Sequence, residues 1–258
     1  MAAKKGVVAF DFDGVIGDSV FECFVQSVKA FNDLGGKARQ DKRTERAFRE
    51  ARPLITKAEH FFTVMRLIQE NPRIKFGKMG QANFDAALKT DASNLDQFSE
   101  KFYKHREEMK QVSRAEWIKL QKSFPKAAKL VAAAQKGNQV FIATTKDKKS
   151  VAELLKAYGI RIPESHIMAK EFSKDKKVQL QEIARIAGVE PRQIVLVEDA
   201  VKQIRDARQI GVKGVLVKWG YSTKEQRKAA RKEGVPQIRK AGILGRGKLK
   251  RIARRTGK

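Results

Sequence analysis

Val7–Ser19 reads VVAFDFDGVIGDS. Four apolar residues, Val7–Phe10, lead into Asp11 and Asp13, one residue apart, and Gly14 follows. A short apolar run with charges only at its end fits a strand of a parallel sheet, buried on both faces. Two carboxylates held that close repel one another unless a cation or a proton relieves them. The rest of the sequence has to supply the reason for placing them there.

Four more runs share the character of the first: Val140–Ala143, His166–Met168, Ile194–Val197 and Val215–Val217. Between them, apolar residues recur at helical spacing: Ala127, Leu130, Val131, Ala134; Val151, Leu154, Leu155, Tyr158; Leu180, Ile183, Ala184, Ala187. Gly137, Gly159 and Gly188 stand where helix C-caps are expected. From about residue 122 the order is βαβαβαβ, the signature of a Rossmann-like, doubly wound α/β sheet. Residues 18–121 break the alternation with helical stripes, Phe61, Val64, Met65 and Ile68 on one face and Leu95, Phe98, Phe102 and Met109 on another. The expected layout is an α/β core from 1–17 and 122–243, an inserted all-helical cap at 18–121, and a basic tail at 244–258.

In open α/β sheets, ligands sit at the carboxyl ends of the strands. Those ends carry Asp11 and Asp13, then Thr144 and Thr145, then Lys174 and Lys176, then Glu198 and Asp199. Acids, hydroxyls and an ammonium group converging on one crevice suit phosphoryl transfer. Asp11 could attack phosphorus, and Asp13 could protonate the leaving alcohol and then deprotonate water. Thr144 and a lysine could offset charge on the transferring group, and Gly14 would let the backbone approach it. Asp11, Asp13 and Asp199 are oxygen donors of the kind Mg²⁺ prefers. Glu198 is either a further metal-shell acid or a polar strand end. Lys146, after the threonine pair, reads as a surface charge.

The segments DFDGV, VFIATTK, SKDKK and VLVEDA resemble the four ordered motifs of the haloacid dehalogenase superfamily. VKWGY at Val217–Tyr221 is similar to its phosphoglycolate-phosphatase-like branch, which carries a helical cap after the first motif. The resemblance implies Asp11 as nucleophile and Mg²⁺ ligand, and Asp13 as general acid/base binding Mg²⁺ through its carbonyl. It implies Thr144 as the phosphate-binding hydroxyl and Asp199 as a further ligand. The motif lysine aligns as Lys176 or Lys174, and the register of Leu180, Ile183 and Gly188 favours Lys176. Ala200 and Gln203 depart from the family pattern but leave the direct ligands in place. Since a dehalogenase has no alcohol leaving group to protonate, Asp13 favours a phosphatase of small phosphomonoesters.

His60, His105 and His166 lack metal-ligand spacing, and no phosphate-loop motif of an NTPase is present. The one cysteine, Cys23, allows no internal disulfide, and no apolar run approaches membrane-span length. These features lead to the expectation of a cytoplasmic enzyme. The 258 residues carry 56 Lys or Arg against 29 Asp or Glu, a net charge of +27. Residues 222–258 alone hold fourteen basic residues against Glu225 and Glu233. Such a surplus favours polyanionic partners. The alternative expectation is therefore a nucleic-acid- or ribosome-associated protein, binding RNA through the tail and acting on polynucleotide phosphate ends.

Overall fold

The structure is a computed structural model, and it describes residues 6–239. The chain divides into two compact units, one formed by the residues up to Asp18 and from Ser123 onward, the other by Ser19–Lys122.

The first unit is built on a six-stranded parallel sheet. Across it the strands run Ile167–Met168, Asn138–Ala143, Gly6–Phe10, Ile194–Glu198, Lys213–Val217 and Gln237–Ile238. Gly6–Phe10 lies at the centre, with Val8 opposite Val140 on one side and Val195 on the other. Its residues alternate between two covered faces. Val7 and Ala9 join Phe141, Ala143 and Leu196 in a cluster with Leu180, Ile183 and Ala207 from the helices Lys176–Ala187 and Val201–Gln209. Val8 and Phe10 point the other way and are equally buried. Burial on both faces is why these strands carry unbroken apolar sequence. The architecture is the expected Rossmann-like α/β fold with flanking helices.

Three local expectations change. The sixth strand, Gln237–Ile238, has only two residues, too few for any alternation to show in the sequence. His166 ends a short 3₁₀ turn, and the strand begins at Ile167. Gly159 and Gly188 take the left-handed conformation after their helices (φ +68° and +62°), whereas Gly137 does not.

The second unit is helical: Val20–Asp33, Lys42–Ala51, His60–Glu70, Gln81–Thr90, Ala92–Val112 and Arg114–Lys119. Phe61, Val64, Met65 and Ile68 are buried as their spacing predicts. The buried face of Ala92–Val112 instead runs through Phe98, Phe102, Arg106 and Lys110, with Leu95 and Met109 at its margin. Arg106 is admitted because Glu22, fully buried, accepts two hydrogen bonds from it at 2.8 and 2.6 Å, and a third from Trp117 Nε1 at 3.3 Å. Burial opposes the guanidinium charge, but Glu22 outweighs it and raises the Arg106 pKa. No helix among the described residues is long and apolar enough to cross a membrane. The basic segment 244–258 lies outside the described residues.

Candidate active site

The central strand delivers Asp11 to the carboxyl edge of the sheet, where its N–H donates to the Val197 carbonyl at 3.0 Å. A tight turn follows, with the N–H groups of Ile16 and Gly17 donating to the Phe12 carbonyl and that of Gly14 to the Gly17 carbonyl, each at 2.9 Å. Gly14 adopts φ +88°, and a Cβ there would collide with the Asp199 carboxylate. Only glycine satisfies both demands.

Asp11, Glu198 and Asp199 each place a carboxylate oxygen within 4.8 Å of the others. Lys176, the first residue of its helix, reaches into this group. Its Nζ lies 2.8 Å from Asp11 Oδ1 and 3.3 Å from Glu198 Oε2, and it donates to the Ala143 carbonyl. Burial, then the charge of Glu198, pushes the Asp11 carboxyl up to about 7, against the pull of Lys176. Burial likewise pushes Glu198 up to about 7, with Lys176 opposing and Asp199 adding. For Lys176, burial is outweighed by Asp11 and Glu198, and its pKa is raised. Three acids around one ammonium leave an excess of negative charge in a dry place.

The sequence left Lys176 and Lys174 as alternatives for the motif lysine. The structure brings Lys176 to the carboxylates, while Lys174 is exposed. Thr144 is buried, and its Oγ1 accepts from the Lys146 N–H at 3.2 Å, whereas Thr145 is exposed. Asp13 stands apart from the three-acid group, with its Oδ1 buried and without a hydrogen-bond partner among the described residues.

Sequence reasoning gave no site role to five contributors. Lys146 is buried, not a surface charge. Its side chain is 3% exposed and its Nζ lies 3.6 Å from Asp13 Oδ1. Gln179 is wholly buried and its Nε2 donates to the carbonyls of Thr144 and Ser173, tying the second strand end to the lysine helix. Its position one helical turn before Ile183 was the available signal. Gly220 packs so closely that a Cβ would meet both Asp199 and the Gly14 carbonyl. Tyr221 donates its N–H to Asp199 Oδ2 at 2.6 Å, and Trp219 Nε1 donates to the Val15 carbonyl at 3.1 Å. The WGY loop therefore holds both Asp199 and the turn carrying Asp13.

A Rossmann-like sheet gathers acids, a buried lysine and a buried threonine at its carboxyl edge. The family model described as haloacid dehalogenase-like hydrolase matches residues 6–211, and the chain belongs to that family. Among solved structures, it is similar to a predicted phosphoglycolate phosphatase from Haemophilus somnus. The TM-score is 0.62 and the identity 14%, over 97% of this chain and 100% of that one. It is also similar to a predicted phosphatase from Clostridium acetobutylicum, with TM-score 0.58 and 14% identity over 96% and 100%. A hydrolase from Pseudomonas syringae gives TM-score 0.60 and 15% identity over 96% and 99%. At these identities the likeness shows the fold. No curated protein matches the sequence.

Proposed function

We propose that the protein is a Mg²⁺-dependent phosphatase of small phosphomonoesters, working through an aspartyl-phosphate on Asp11. The observation that carries this is the buried Asp11 carboxylate paired with Lys176 at 2.8 Å on the carboxyl edge of the sheet. The family membership and the phosphatase titles of the solved relatives agree with it.

A divalent cation fits the donor set. The acids are all hard oxygen donors, they outnumber the single ammonium, and two have carboxyls pushed well above their ordinary range by burial. Asp11 and Asp199 would hold it, with the Asp13 carbonyl. Glu198 is less available, since its Oε1 accepts from the N–H groups of Asp199 and Ala200 and its Oε2 pairs with Lys176. Bound there, Mg²⁺ would neutralise the acids and the phosphoryl oxygens.

The chain's own residues divide the remaining work. An Asp11 oxygen attacks phosphorus as the ester P–O bond breaks, and Asp13 gives its proton to the departing alkoxide. Asp13 then takes a proton from water as that water attacks phosphorus, releasing phosphate and restoring Asp11. The Thr144 hydroxyl donates to a phosphoryl oxygen. Lys176 fixes the orientation of Asp11, its Nζ donating to Asp11 and to the Ala143 carbonyl and pairing with Glu198 at 3.3 Å. Lys146 has donors to spare on the side of Asp13, where negative charge develops on the leaving oxygen.

The test is phosphate release from a panel of small phosphomonoesters, with Mg²⁺ and with excess chelator. Wild type should turn over at least one ester only with Mg²⁺, and Asp11→Asn should fall below about 1% of that rate, since an amide is a poor nucleophile. Full turnover in chelator would remove the metal, and turnover by Asp11→Asn would remove the covalent step.

A further inference from the structure

Residues 213–239 carry eight Lys or Arg and two acids, Glu225 and Glu233. Glu233 is already engaged, accepting from Arg205 Nε at 2.9 Å and Arg205 Nη2 at 2.5 Å. Elsewhere, exposed cations on helices commonly have an acid one turn away: Arg66 with Glu70, Lys104 with Glu108, Arg185 with Glu182, Lys202 with Asp206. The helix Lys224–Lys232 is different. Arg227 and Arg231 stand one turn apart on it, the spacing at which like charges repel.

This helix lies beside the strand edge. Gln237 Nε2 donates to the Arg227 carbonyl at 2.5 Å, and Lys218 N–H donates to the Ile238 carbonyl at 2.9 Å. Val217 pairs with Ile238, so Lys218 and Arg239 leave neighbouring parallel strands side by side. Partial burial, then Arg239, Arg231 and Arg227, lower the Lys218 pKa, so Lys218 lies within electrostatic reach of all three arginines. Lys218, Arg231 and Arg239 have no acidic partner among the described residues.

We infer that Lys218, Arg227, Arg231 and Arg239 form a docking surface for the phosphodiester backbone of a nucleic acid, RNA foremost. Unneutralised cations held together are unfavourable, and a polyanion relieves them while releasing its condensed counterions. Three of the four are arginines, whose planar forks match phosphate oxygens. None of the large exposed apolar residues, Val112, Phe172, Val178 and Ile186, falls in this stretch. It therefore lacks the apolar face with which a basic surface enters a membrane. The sequence continues from Arg239 into a segment with seven further basic residues and no acid at 244–258. Lys218 borders the Trp219–Tyr221 loop, but none of the four cations is among the residues that form the carboxylate site, so binding and hydrolysis can fail independently.

The experiment is fluorescence anisotropy of the full-length protein with a labelled single-stranded RNA across a salt series. The variant Lys218→Gln/Arg231→Gln/Arg239→Gln spares Arg227, which donates to Ser222 and supports its loop. Removing three phosphate contacts should flatten the slope of log K against log[salt] by about 2 units, at roughly 0.7 per contact on single strands. Arg185→Gln/Lys202→Gln, on paired cations elsewhere, should leave the slope unchanged, and both variants should keep wild-type phosphoester turnover. Single-stranded DNA of the same sequence tells a general backbone site from an RNA-selective one; binding of either by this surface supports the inference. An unchanged slope in the triple variant overturns it, as does loss of RNA binding on deleting 244–258 alone while the triple variant binds normally. Binding to anionic vesicles through these residues without RNA binding overturns it too.

Discussion

Lys146 Nζ lies 3.6 Å from Asp13 Oδ1, too far for a hydrogen bond, with its side chain 97% removed from solvent. Lys176, by contrast, donates hydrogen bonds to Asp11 and to the Ala143 carbonyl and pairs with Glu198 at 3.3 Å. With no hydrogen bond from its Nζ among the described residues, Lys146 can donate to an anion bound beside Asp13. Lys146→Met keeps the volume and removes the donors. It should lower kcat/KM about 10²-fold, the usual effect of losing one preorganised donor. Thermal unfolding should stay within a few degrees of wild type. Wild-type kcat/KM in a folded Lys146→Met protein would return this lysine to a packing role.

Asp13→Asn should slow hydrolysis of alkyl phosphates by about 10²–10⁴-fold, the usual range of general acid–base catalysis. Phosphate binding should survive, because the backbone at Asp13 is unchanged. The loss should shrink for nitrophenyl phosphate, whose leaving group needs little protonation. Measuring both esters decides the role: equal losses would exclude Asp13 as the acid.

The motifs at the strand ends were legible because each follows an apolar run that only a buried strand explains. Asp11, Thr144, Glu198 and Asp199 needed no more than that. The choice of Lys176 over Lys174 was also within reach, since Asp175 caps the helix by accepting from the Lys177 N–H and places Lys176 at its first position. Lys146 was not legible. Two residues past a strand end a lysine ordinarily meets water, and only the turn that aims its N–H at Thr144 Oγ1 buries it. Arg106 and Lys110 escaped for a related reason. Apolar periodicity marks a buried face by its hydrophobic members, and the partner that admits Arg106 is Glu22, 84 residues away in the chain. The pair Gln237–Ile238 is held by pairing with Leu216 and Val217, not by a pattern of its own.

Gly220→Ala should damage the site through Asp199. The new methyl would meet the Asp199 side chain and the Gly14 carbonyl, so one of them must move. Overpacking of this kind costs about 1–3 kcal/mol of stability. The Mg²⁺ concentration for half-maximal activity should rise more than maximal activity falls. A magnesium titration of wild type and variant separates the two, and an unchanged requirement would mean that the close packing of Gly220 does not position Asp199.

The raised carboxyls predict how Mg²⁺ stabilises the fold at different pH. Asp11 and Glu198 are pushed up to about 7, above their ordinary values near 4. A carboxyl raised in the folded state contributes stability that is complete below its unfolded pKa and is lost as pH rises through the folded one. The metal-free protein should therefore lose stability between about pH 4 and pH 7 from these groups. A cation bound among the deprotonated acids offsets that loss, and its binding releases protons. At a fixed Mg²⁺ concentration the rise in Tm should be larger at pH 8 than at pH 5. Differential scanning fluorimetry at both pH values, with and without Mg²⁺, measures it directly. Asp199→Ala should shrink the pH 8 increment. An increment equal at both pH values, or greater at pH 5, would separate the acid cluster from metal binding.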